Sequence, residues 1–234
     1  MIPVVFALVL VFVVTMVMPV VLFHLLGMGV IKRGRVSSWV CLTFDDGPDP
    51  RFTPVFLDVL GEYGARATFF CLGEKVLRYP DLARRICEEG HEIGLHGFDH
   101  RHPWADPPWR VVRGISISIS AVQRIAGQEP RLYRPPWGFW SLWNWFATQG
   151  LHRVLWSLPG KDWLRNATPE SIVEHIAKSL KPGDVILLHD GGRYSGITVE
   201  SLPGLLETFK ERGLRTVTVS EMIAATDRVG TFNA

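Results

Sequence analysis

From residue 39 onward, short apolar runs alternate with stretches of helical pattern, and nearly every run stops at a polar cluster. Runs that are apolar along their whole length are buried on both faces, as in a parallel sheet wrapped by helices. Strands are predicted at 39–44, 67–72, 91–95, 131–134, 153–156, 185–189 and 214–219. Thr53-Pro54 reads as an N-cap followed by proline at the first helical position, with Gly64 as the stop. Further helices are predicted at 80–89, 111–125, within 140–149, from Thr168-Pro169-Glu170 to the Lys181-Pro182-Gly183 break, and at 199–212. Residues 115–119 alternate like a strand, but the longer window favours helix. Such alternation implies an α/β fold. Seven strands fall just short of a full barrel, so the expectation is a distorted (β/α) barrel of about seven parallel strands.

In barrels of this kind, functional residues sit at the carboxyl ends of the strands. The polar clusters fall there: Asp45-Asp46, the segment 96–100, the segment 134–138, Asp162-Trp163 and His189-Asp190. At the first of them Gly47-Pro48 forces a turn. Neighbours on an extended backbone point to opposite sides. Asp45 and Asp46 are therefore expected to divide the work, one binding a metal while the other handles a proton. Taken alone, Asp-Asp-Gly-Pro is also an ordinary turn.

His96 and His100 stand four apart, a spacing that puts both rings on one face of a helical turn. With one carboxylate they would make three protein ligands and leave a position for water, the catalytic zinc arrangement. His102 would face elsewhere, and His91, at the start of a strand, reads as structural.

Residues 1–31 contain no Asp, Glu, Lys or Arg. Residues 2–22 are long and apolar enough to cross a bilayer, with Pro19 kinking the end. A cleaved signal peptide fits less well, because a basic start and a small-residue cleavage site are both missing. The chain therefore divides into an anchor with a basic flank (1–36) and one catalytic domain (37–234), and the cell membrane is its expected location. Lys32, Arg33 and Arg35 follow the span, which by the positive-inside rule draws the domain toward the cytoplasm. One short cluster leaves the membrane face open. A net charge of +2 gives no reason to expect nucleic acid. Three cysteines, all in or beside apolar runs, read as buried free thiols.

Taken in order, Thr43-Phe44-Asp45-Asp46-Gly47-Pro48, His96-x-x-x-His100, Arg134-Pro135-Pro136-x-Gly138, Asp162-Trp163 and Leu187-x-His189 resemble the NodB-type polysaccharide deacetylases, carbohydrate esterase family four. The resemblance covers about 40–219. It implies the distorted barrel and metal-dependent hydrolysis of acetyl groups on sugars. By motif, Asp45 is the expected general base, braced by Arg134. Asp46, His96 and His100 are the expected ligands of a divalent metal, usually zinc. His189 is the expected general acid, oriented by Asp162, and the backbone N–H near Trp137 faces the oxyanion. Pro135, Trp137, Trp163 and Leu187 are expected on the substrate side. Three positions depart from the family pattern. Gly97 stands where a hydroxyl residue is usual, Trp137 replaces a common Tyr, and the fourth motif keeps only its second acid, Asp162.

Trp137, Phe139, Trp140, Trp143, Trp145 and Phe146 crowd the segment after the fourth strand. They read either as core and sugar-stacking residues or as an aromatic belt at a bilayer interface. The expected partner is an acylated sugar, a polysaccharide or a lipid-linked sugar near the membrane. Removal of formyl from a lipid-linked amino sugar, or glycan binding without catalysis, are the alternatives.

Overall fold

The computed structural model describes residues 2–231. Residue 1 and residues 232–234, the outer ends of the two expected divisions, lie outside the described residues. In chain order the elements are α1 (Ile2–Phe12), β1 (Trp39–Asp45), α2 (Thr53–Glu62), β2 (Ala67–Cys71), α3 (Gly73–Arg78), α4 (Pro80–Glu88), β3 (Glu92–Leu95), α5 (Pro108–Ala126), β4 (Leu132–Tyr133), α6 (Leu142–Ala147), β5 (His152–Arg153), β6 (Leu158–Pro159), α7 (Pro169–Ser179), β7 (Val185–His189), α8 (Ser195–Glu211), β8 (Arg215–Thr216) and α9 (Val219–Thr231). All strand pairs are parallel, in the order β5-β4-β3-β2-β1-β7-β6, and β8 pairs with the start of β1. The sheet is a curled, open barrel, and no β5–β6 ladder closes it among the described residues.

Seven strands lie along this path, but not the seven expected. Leu158-Pro159 is a strand where the sequence predicts none. Two residues, one of them proline, carry no periodicity to read. Thr53 does not cap α2. Its hydroxyl accepts the Asp49 N–H at 2.7 Å and donates to the Asp190 carboxylate at 2.6 Å, which commits it to the site described below.

β1 lies at the centre, and its two faces do different things. Val40, Leu42 and Phe44 pack outward against Phe56, Leu57 and Leu60 of α2 and Leu202, Leu205 and Phe209 of α8. Cys41 points inward with Phe70, Leu132, Val154 and Val185, above a plug of Val217, Val219 and Met222. The period of two carries Thr43 and Asp45 onto that inner side as well. The apolar interior therefore ends in a polar mouth. Register sets Asp45 beside Phe70 of β2 and His189 of β7, so the ends of three strands meet at one rim.

The N-terminal helix runs on from α1 through wider π-type turns, Val13–Val17 and Val20–Leu25, on either side of Pro19. The span Pro3–Leu25 is long and apolar enough to cross a membrane. Its basic flank is built into the barrel. Ile31 bridges Val154 and Arg33 bridges Asp184, with an Arg33–Asp184 ion pair at 2.5 Å. The aromatic cluster also sorts itself. Trp140 is fully buried against Tyr133 and Trp145, so it is core and does not face lipid. Trp140→Ala is expected to destabilise the domain by about 3–5 kcal/mol, through lost burial and a residual cavity. Urea unfolding of the two proteins checks this.

Candidate active site

Asp46 does not continue the strand. Its φ is +73°, the left-handed region, so the expected opposition of the two aspartates does not arise. Both carboxylates instead approach one imidazole. His96 Nε2 lies 3.7 Å from Asp45 Oδ2 and 3.5 Å from Asp46 Oδ1. The turn is packed from below. A Cβ on Gly47 would meet the Asp190 carboxylate at 2.2 Å, and one on Gly191 would meet the Asp46 carbonyl oxygen at 2.2 Å. Two glycines thus let the loops after β1 and β7 lie in contact. Lys75 Nζ donates to the Asp46 carbonyl at 2.7 Å. Burial pushes the Asp190 carboxyl up to about 7, against the hydrogen bond from Thr53.

The two histidines meet, but not on a helical turn. Residues 96–100 form an irregular loop that bends at Gly97, with φ +82°. Glycine at this position supplies the bend itself, and the Ser118 hydroxyl donates to the Gly97 carbonyl at 3.1 Å. His100 Nε2 lies 3.1 Å from Asp46 Oδ1. One ligand atom from each of Asp46, His96 and His100 lies within 4.8 Å of the others. His96 Nδ1 is 2.9 Å from the Arg134 carbonyl. A carbonyl only accepts, so Nδ1 carries the hydrogen and the Nε2 lone pair faces Asp46. Burial holds His96 below the usual histidine range despite Asp45 and Asp46, which favours the neutral, ligating form. Asp46 Oδ1 is buried without a hydrogen-bond partner. A two-histidine, one-carboxylate donor set around an orphaned oxygen fits a divalent cation.

Arg134 is wholly buried beneath the rim. It donates to Asp45 Oδ1 at 2.6 Å, Thr43 Oγ1 at 2.8 Å and the Leu155 carbonyl at 3.1 Å, and its guanidinium lies 4.0 Å over the Phe70 ring. Across the rim, His189 Nδ1 is 3.0 Å from Asp162 Oδ1, while Asp162 Oδ2 accepts from the His189 N–H and the Thr198 hydroxyl, each at 2.8 Å. Burial works against the charged imidazole. The Asp162 hydrogen bond and charge, with Asp45 and Asp46 behind them, outweigh it and raise the His189 pKa to about 9.

A cavity of about 470 Å³ opens over these groups. Asp45, Asp46, His96, His100, Trp137, Asp162, Trp163, Leu187 and His189 line it together. Of the expected site residues at the rim, Pro135 stands apart. It is buried behind the wall, where its carbonyl accepts the Gly138 N–H at 2.9 Å and shapes the turn. Trp137 sits at φ +61° with its ring largely exposed, 5.0 Å from the His100 ring. His102 packs on Trp104 and Phe139, away from the three ligand atoms. His91 is buried and accepts the Ala67 N–H, as a structural histidine does. Sequence reasoning missed Trp156 and Arg193-Tyr194 on the cavity wall. The Gly191-Gly192 turn after His189 was the available signal for the second of these.

The family model for polysaccharide deacetylase matches residues 32–148. A peptidoglycan-N-acetylglucosamine deacetylase of Bacillus cereus is 40% identical over 188 residues, covering 79% of this chain and 87% of the relative. A chitooligosaccharide deacetylase of Sinorhizobium fredii is 35% identical over 195 residues, covering 78% and 90%. Among solved structures, a peptidoglycan N-acetylglucosamine deacetylase crystallised with an N-oxidanyl-benzamide compound superposes with a TM-score of 0.79 at 31% identity, over 86% of this chain and 95% of that one. Sequence and fold agree, and this chain belongs to the polysaccharide deacetylase family, as a carbohydrate deacetylase of carbohydrate esterase family four.

Proposed function

We propose that the protein removes N-acetyl groups from a glucosamine-containing glycan held near the membrane, using a divalent cation, zinc, on Asp46, His96 and His100. The observation that carries this reading is the meeting of those three donors with Asp45 and His189 around one cavity. The names of the relatives supply the substrate class, and the apolar span Pro3–Leu25 supplies the membrane.

A cation bound there would acidify a water and polarise the acyl oxygen. Asp45, held by Arg134, takes a proton from the attacking water. As the carbonyl carbon becomes tetrahedral, the oxyanion accepts the backbone N–H of Trp137. His189 then gives its proton to the sugar nitrogen, so that the C–N bond breaks to a free amine and acetate. An amine leaves poorly unless protonated. The Asp162 contact keeps that proton on His189 at neutral pH.

The sign of one pH effect follows. Asp162 raises the His189 pKa, so Asp162→Asn lets the imidazole lose its proton at lower pH. The alkaline arm of the kcat/KM profile is expected to move acidward by about one unit or more, since a lost ion pair shifts a pKa by that order. An unmoved alkaline arm would show that His189 is not the acid. The reading as a whole is tested with full-length protein and a panel of N-acetylated, O-acetylated and N-formylated sugars. Acetate from N-acetylglucosamine oligomers is expected. Formate release alone would make the protein a deformylase, and no release with metal bound would make it a glycan binder.

A further inference from the structure

Between residues 12 and 24 the N-terminal helix lies against the domain. Phe12 meets the edge of Trp104, with ring centres 5.7 Å apart. Phe23 stacks flat on Trp145 at 3.4 Å and meets Trp140 edge-on at 6.2 Å. A Cβ on Gly29 would stand 3.0 Å from the Trp145 ring, so the chain leaves the helix in close contact as well. Anchoring alone needs only length and apolarity. It does not call for a histidine in the last turn of the span, where a polar side chain is expensive in lipid unless it has a partner.

His24 has one, and the partner is the wall of the catalytic cavity. His24 Nδ1 lies 2.9 Å from the carbonyl oxygen of Gly138, 114 positions away. The carbonyl only accepts, so Nδ1 donates. Lys32 Nζ donates in turn to the His24 carbonyl and fixes that last turn. Gly138 lines the cavity with Trp156, and the His24 ring lies 6.2 Å from the rings of Trp156 and Phe139. Immediately before Gly138 is Trp137, at φ +61°. A bulky residue persists in that region only when its surroundings hold it there.

We infer that the N-terminal helix braces the active-site wall from behind, and that His24 is a positioning residue: its Nδ1–H holds the Gly138 carbonyl and so sets the Trp137 backbone donor against the substrate. This rests on the deacetylase reading above for its kinetic consequence, but not for its geometric one.

The test uses full-length protein in detergent micelles with a soluble N-acetylglucosamine oligomer, so that membrane delivery of substrate plays no part. His24→Phe keeps the ring and removes the donor. His24→Asn restores an N–H near the Nδ1 position. His24→Phe is expected to lower kcat about tenfold, with KM and zinc content unchanged, because a misplaced group weakens the transition state more than substrate binding. His24→Asn is expected to recover most of that loss. Hydrogen exchange at the amides of 137–139 gives a readout independent of activity, faster in His24→Phe and near the parent rate in His24→Asn. Equal kcat and exchange in parent and His24→Phe would reduce the helix to an anchor and overturn the inference. Equal impairment of both variants would mean packing, not the hydrogen bond, and would overturn the role of His24. If the parent releases no acetate, the proposed function fails, and the exchange rates still decide the inference.

Discussion

Asp46→Ala is expected to abolish zinc binding at the site and to lower deacetylase turnover by at least about three orders of magnitude, the several kcal/mol that a bound cation contributes to such hydrolysis. Three features single out this residue. Its Oδ1 is buried without a hydrogen-bond partner, it lies within reach of both His96 and His100, and the left-handed backbone at 46 has no other evident purpose. Alanine leaves both imidazoles without their carboxylate. Thermal stability without metal is expected to change little, because losing a buried carboxylate oxygen that has no hydrogen-bond partner offsets the strain of alanine in the left-handed region. Metal analysis by mass spectrometry and acetate release measure the two halves of the effect. Full zinc occupancy in the variant would exclude Asp46 as a ligand.

Arg134→Met is expected to destabilise the domain by about 3–5 kcal/mol, because it leaves the buried Asp45 carboxylate without its partner. Methionine replaces much of the volume, so the loss reports the charge and not a cavity. Arg134 also ties three strands together. Its side chain reaches Thr43 and Asp45 at the end of β1 and the Leu155 carbonyl just after β5, and its own carbonyl holds the His96 ring. Lysine brings one charge but not the planar fork, so Arg134→Lys is not expected to rescue stability or turnover. Urea unfolding checks the first effect. An Arg134→Met midpoint equal to that of the parent would show that the Arg134–Asp45 pair does not hold the fold, and the bracing of Asp45 by Arg134 would fall.

The strand ends were legible in the sequence because each is a local event. An apolar run stops, and a polar pair follows within two or three residues. Asp45, Asp46, His96, Arg134 and His189 could be named this way, His100 and Asp162 follow five and six residues beyond their predicted strands, and the barrel follows from the alternation that separates the clusters. What escaped was conformational or distant. Nothing local in Asp45-Asp46 reveals that Asp46 leaves the strand at φ +73°, so the sequence predicts opposed carboxylates where the two converge on His96. The spacing of four allows the histidine pair a helical turn, yet Gly97 bends an irregular loop to the same end. Leu158-Pro159 is too short to show a period. The contacts of Thr53 with Asp190 and of His24 with Gly138 join residues 137 and 114 positions apart, a separation at which composition and periodicity are silent. The aromatic cluster was ambiguous for a related reason. Core packing and membrane belts draw on the same residue types, and only the positions of Trp140 and Phe23 separate them.

Zinc titration of metal-free, full-length protein, followed by acetate release from an N-acetylglucosamine oligomer at each point, bears most directly on whether Asp46, His96 and His100 share one catalytic cation. The expected result is one zinc per chain, activity rising in step with occupancy, and both lost together in His96→Ala. Acetate release at full rate before any zinc is added, with chelator present, would contradict it.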